Sequence, residues 1–185
     1  MANAFPELTL STQRIVLRPL AGGDIPDVQL SCADELTQRW LPLLNPYTLQ
    51  AAADYCTVIA PRFRESGGGI HLAMADAGSN QLLGSISLKK TDWQALTSEV
   101  GYWVSPWARG RGFAVEATRA LAEWLLGRQG FERLELRAAT GNTASQRVAE
   151  KAGFTREGIL RNAGFIHGGR VDLAVYSMIS NDLAD

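Results

Sequence analysis

Residues 99–125 read EVGYWVSPWARGRGFAVEATRALAEWL. A run of strand period meets a turn with glycines at positions 110 and 112, and an amphipathic helix follows at once. Ala114, Ala117, Leu121 and Leu125 share one face of that helix, while Glu116, Arg119 and Glu123 take the opposite one. Such an arrangement places the end of a sheet strand beside a helix N-terminus, where the first N–H groups lack intrahelical partners. Gly110 and Gly112 let a ligand approach those groups, so the segment reads as an anion site to which Arg109 and Arg111 add side-chain charge.

Two common phosphate motifs do not fit. The dinucleotide fingerprint needs Gly or Ala three residues after Gly112, but Val115 stands there, and no Gly-Lys-Ser/Thr triplet occurs for a P-loop. With 18 Lys or Arg against 19 Asp or Glu, the net charge of −1 also argues against a nucleic-acid binder. That balance is uneven along the chain: residues 109–170 hold eleven Lys or Arg and six Glu, an excess suited to a phosphorylated ligand. Cys32 and Cys56 are far apart, and His71 and His167 are isolated, so no metal site or redox motif is expected.

Around this segment the period of the chain changes several times. Residues 15–20 suit a first strand, a helix starts at Asp24 with Val28, Leu30 and Leu36 as apolar positions, and a second runs from a Thr48 cap to about Glu65. Residues 70–75, 82–89 and 99–104 alternate as an antiparallel meander. Residues 134–138 form a further strand, Asn142 caps a helix that Gly153 ends, and residues 154–158 and 172–179 are strands joined by a long turn at 161–169. The expected fold is α+β: a mixed, mostly antiparallel central sheet with helices on both faces, in one domain over residues 1–185 with residues 1–9 and 181–185 loose.

Several of these segments, in this order, resemble GNAT acyltransferases. Arg109-Gly110-Arg111-Gly112-Phe113-Ala114 matches the R-x-x-G-x-A signature. Asn142-Thr143-Ala144-Ser145 and Glu150-Lys151-Ala152-Gly153-Phe154 are similar to the family's N-x-x-S and E-K-x-G-F elements. The opening R-I-V-L-R-P-L, the strand G-Y-W-V and the terminal G-R-x-D-x-x-x-Y-S-M extend the likeness, closest to the branch of ribosomal-protein N-alpha-acetyltransferases, over nearly the whole chain.

The resemblance implies acetyl-CoA as cosubstrate and an N-acetyltransferase reaction. The turn 109–114 would hold the pyrophosphate and pantetheine, the strand end at Trp103 and Val104 would splay and hydrogen-bond the pantetheine arm, and Asn142 would contact pantetheine or the acyl region. A backbone N–H near Val104 would polarise the thioester carbonyl. Many relatives protonate the leaving thiolate with a Tyr seven residues after the Asn, but Ala149 stands there. Ser145 is then the first candidate acid, Tyr176 is an alternative, and Glu99 is the candidate base, acting through water.

Transfer is expected to be direct, since neither Cys sits in an acyl-enzyme motif. The acceptor would be a primary amine, on a protein N-terminus or a small molecule, with Trp40, Trp93, His167 and Arg170 as candidate lining residues. Two other readings stand beside this one: a non-catalytic acyl-CoA-binding or sensing module, to which Ala149 gives weight, and transfer from another acyl-CoA such as succinyl-CoA. No signal segment or membrane span is visible, so a cytoplasmic protein is expected, as a possible homodimer without nucleic-acid or membrane partners.

Overall fold

The computed structural model describes residues 3–183; residues 1, 2, 184 and 185, part of the ends expected to be loose, lie outside the described residues. Eight strands, β1 (Leu10–Ser11), β2 (Ile15–Pro19), β3 (Ile70–Asp76), β4 (Leu82–Asp92), β5 (Thr97–Val104), β6 (Arg133–Ala139), β7 (Thr155–Ile166) and β8 (Gly169–Ile179), form one sheet. Their order is β1-β2-β3-β4-β5-β6-β8-β7. All neighbours run antiparallel except β5 and β6, which are parallel.

Helices cover both faces, as the periodicity predicts. On one side lie α1 (Ile25–Ala33), α2 (Glu35–Trp40), α3 (Leu49–Asp54) and α4 (Ala60–Glu65), the last two joined by a wider-wound turn at Tyr55–Ile59. Val28 and Cys32 of α1 and Ala52 of α3 meet Ala73 and Leu82 of the sheet there. On the other side, α5 (Phe113–Ala122) and α6 (Thr143–Ala152) close the larger core. Ala117 and Leu121 of α5 and Ala149 of α6 pack with Ile86, Leu88, Val100, Leu134 and Leu136. A fully buried Leu such as Leu121 contributes about 1.5–3 kcal/mol by leaving water.

Four expectations are corrected. The first helix does not run on to Leu36: Asp34 is extended, with ψ 136°, and its carboxylate accepts the Thr37 N–H as the cap of α2. That break resets the helical face for α2, and both Leu30 before it and Leu36 after it are exposed. The segment 161–169 is not a long turn, because β7 and β8 extend to Ile166 and from Gly169 and pair closely at the tip. Near the N-terminus, Phe5 and Leu8 are core residues, with the Phe5 ring beside Trp93 and Phe131. A short β1 precedes the first expected strand.

One topological detail creates the site. The β5–β6 ladder ends at Val100 and Leu136. Beyond it, residues 101–104 stay with antiparallel β4, and residues 137–139 stay with antiparallel β8. Each strand follows its own partner, so the twist of the sheet opens a gap between them.

Candidate active site

Backbone groups line this gap. Ser105 donates its N–H to the Leu83 carbonyl at 2.9 Å. Strand backbone groups alternate in direction, so those of Trp103 turn towards β4 and those of Tyr102 and Val104 turn into the gap. The sequence pointed to Trp103 and Val104; the geometry gives Val104 with Tyr102 as the backbone donors and acceptors, while Trp103 lines the cleft with its side chain.

Below the gap, Gly110 and Gly112 adopt left-handed φ of 76° and 82°, and Gly112 is the residue from which α5 starts. Only glycine takes this conformation at low cost, and it turns the strand end directly into the helix N-terminus. Ala114 presents a small side chain beside it, and both Phe113 and Ala114 are buried.

The two arginines of the turn are engaged elsewhere. Arg109 reaches α2, pairing with Asp34 and donating to Thr37 Oγ1 at 2.9 Å. Arg109 holds the Asp34 carboxyl below the usual carboxylate range. Arg111 lies over the Phe113 ring at 4.8 Å, and its carbonyl accepts a hydrogen bond from Arg14.

Three candidate catalytic residues fare differently. Asn142 caps α6 by accepting the Ser145 N–H at 3.1 Å, and this points Ser145 into the cleft. Ser145 Oγ lies 2.9 Å from Tyr102 Oη. Burial pushes the Tyr102 phenol up to about 12, against a smaller opposing effect of the Ser145 hydrogen bond. Tyr102 was not singled out from sequence, although the alternation that puts Val100 on the α5–α6 side of the sheet puts Tyr102 there too.

Tyr176 is buried with its hydroxyl against Glu150 and Gln146 of α6, and it does not line the cleft. Glu99 is also buried and outside the lining. Lys89 lies 3.1 Å and Lys90 2.8 Å from its two oxygens. Burial by itself would raise the Glu99 pKa, but the two lysines together bring it below the ordinary glutamate value.

The whole cleft measures about 640 Å³ and passes through the sheet at the gap. Ser145, Tyr102 and Val104 lie on the α5–α6 side, and Lys89, Trp103, Arg137 and Trp40 on the other. Trp40 packs across the mouth on Gly141, where an added Cβ would sit 3.3 Å from the indole. Trp93 is not a lining residue: it packs on Phe5 and donates its Nε1–H to the Gly67 carbonyl. His167 and Arg170 sit at the β7–β8 tip, away from the cleft.

Comparison with known proteins agrees with this geometry. An uncharacterized N-acetyltransferase of Bacillus subtilis (strain 168), YoaA, is 26% identical over 92% of this chain and 96% of its own. The ribosomal-protein-serine acetyltransferase of Escherichia coli (strain K12) is 29% identical over 54% of this chain and 56% of its own. Mycobacterium smegmatis RimJ, solved with CoA-disulfide, superposes with a TM-score of 0.88 at 19% identity, covering 100% of this chain and 93% of that one. The model of the acetyltransferase (GNAT) domain matches residues 14–155, and the chain therefore belongs to the GNAT family and is an N-acetyltransferase.

Proposed function

We propose that the enzyme moves an acetyl group directly from acetyl-CoA to a primary amine, carried by a protein N-terminus or a small molecule. The observation that carries this reading is the β5–β6 gap, with Val104 backbone groups turned into it above a left-handed glycine turn. The residues present fit acetyl-CoA. The helix N-terminus at Gly112 suits the pyrophosphate, the open strand edge suits the amide groups of pantetheine, and five cations and no carboxylate among the described residues line the cleft.

Acetyl-CoA supplies the activated acetyl group. In this reading the Val104 N–H takes up charge on the carbonyl oxygen, an effect worth about 3 kcal/mol per donor. Ser145 Oγ–H donates its proton to the departing sulfur, and Tyr102 Oη–H replaces the proton lost by Ser145. The proton released by the amine restores Tyr102 through solvent, so the hydroxyl pair ends the cycle as it began.

The remaining groups are consistent with direct transfer. Burial pushes the Cys32 thiol up to about 12 and the Cys56 thiol up to about 11, and neither lines the cleft, so no thiolate is available to form an acyl-enzyme. Cations along the lining lower the pKa of an incoming amine and favour its reactive neutral form. Glu99 acts in this reading by fixing Lys89, since a carboxylate with a lowered pKa behind a lysine is a weak base. The test is thermal unfolding and CoA thiol release: acetyl-CoA raises the melting temperature, and thiol appears when an amine is added. Tight binding without release from any amine would sink the proposal in favour of a sensor.

A further inference from the structure

The acceptor mouth of the cleft has an unusual charge pattern. Among the described residues, the lining contains Lys89, Arg109, Arg137, Arg147 and Lys151, but no Asp, Glu or His. Arg147 and Lys151 belong to α6, on the acetyl-CoA side, and Arg109 is already neutralised by its pairing with Asp34 at the cap of α2. Lys89 and Arg137 are on the acceptor side with Trp103, because residues 99, 101 and 103 of β5 share that face and both cations reach Glu99.

These two cations are only partly neutralised. Glu99 carries one negative charge and sits near Lys89 at 3.1 Å, Lys90 at 2.8 Å and Arg137 at 3.6 Å. Arg137 also meets Glu135 at 2.7 Å, but Glu135 is shared with Arg133. The Glu99 side chain is 7% exposed and that of Lys89 42%, so the carboxylate lies behind while the ammonium faces the opening. What reaches the mouth is therefore a pair of N–H donors with net positive charge, next to the apolar surfaces of Trp40, Trp103 and Leu41.

From this pattern we infer that the acceptor is an amine that also carries an anionic group, a carboxylate or a phosphate ester, with an apolar portion between the two. Lys89 and Arg137 bind the anion, while Trp40 and Trp103 cover the apolar part. Polyamines and other polycationic amines are rejected, because a second ammonium meets Lys89 and Arg137 and no carboxylate among the described lining residues. The inference rests on the transferase reading and narrows its acceptor class.

Matched acceptor pairs with nearly equal amine basicity test it by thiol release. Alanyl-phenylalanine is compared with its C-terminal amide, and alanyl-phosphoserinamide with alanyl-serinamide; spermidine is the polycation. The expected result is about a tenfold or greater advantage in kcat/KM for the anionic member of at least one pair, the size of a charge-assisted hydrogen bond. Which pair shows it identifies carboxylate or phosphate. The advantage lies in KM, shrinks with salt, falls to about unity in Lys89→Gln and Arg137→Gln, and is retained in Lys89→Arg. Equal use of both members of each pair, or preference for spermidine, overturns the inference and leaves the transferase reading intact. Absence of release from every amine, with acetyl-CoA still protecting against unfolding, overturns the transferase reading and this inference with it.

Discussion

Ser145 and Tyr102 come from a helix start and a strand 43 residues apart in sequence, yet their hydroxyls lie 2.9 Å apart at the gap. If Ser145 is the final proton donor, Ser145→Ala lowers kcat by about 10²–10⁴-fold with little change in acetyl-CoA binding. Tyr102→Phe also lowers kcat, and the double variant loses less than the product of the two, since both act on one proton path; steady-state rates on all four proteins measure this. Burial, with a smaller push from Lys89, depresses the His71 imidazole to about 4, and Tyr55 Oη lies 3.1 Å from its Nδ1. Its folded pKa is below its unfolded value, so its stabilising contribution is present above about pH 6.5 and is lost as pH falls towards 4. Urea unfolding should show about 2 kcal/mol lost between pH 7 and pH 5 from this group, and His71→Gln should lose correspondingly less over that interval.

Among elements, α2 depends most on its neighbours. It is six residues long, capped by Asp34 and tied to the glycine turn through Arg109. Asp34→Ala removes the cap and the ion pair together, with an expected cost of about 1–2 kcal/mol in urea unfolding and a raised KM for the amine, because Trp40 loses its seat on Gly141. In α5, Gly112→Ala forces a side chain into φ 82°, at about 1–2 kcal/mol, and should weaken the protection that acetyl-CoA gives against thermal unfolding. These two elements also mark how far the sequence could be read. The turn at 109–114 was legible because glycines and an apolar period of 3.6 are local signals. The α1–α2 break was not, since Asp34 resembles any polar helix residue until Arg109 arrives from 75 positions away. The β7–β8 length was hidden in the same way: Asn162, Gly164 and Gly169 look like turn residues, but Gly164 pairs with Val171 and Gly169 with Ile166, so the ladder resumes beyond Asn162 and runs to the tip.

Across the whole molecule, strand alternation and the succession of strands and helices along the chain were open to inference, and with them a mixed sheet with helices on both faces; the parallel β5–β6 pairing and the β6-β8-β7 order come from the structure. The coupling of charges was not. Glu99 looked like a base in the linear text because Lys89, Lys90 and Arg137 are brought to it only by the β4–β5–β6 register. Tyr102 was missed for the same reason, its partner being supplied by α6 after the chain has crossed from β5 through α5 and β6. Together these contacts divide the molecule at the gap: a glycine turn and hydroxyl pair on one side of the sheet, and a cationic, aromatic mouth on the other. Chemistry occurs where the two meet, and CoA thiol release measured while acetyl-CoA and an anionic dipeptide are both varied tests this. Release is expected only with both present, with intersecting double-reciprocal lines and a large loss of kcat in Ser145→Ala. Parallel lines, or full activity in Ser145→Ala, would contradict it.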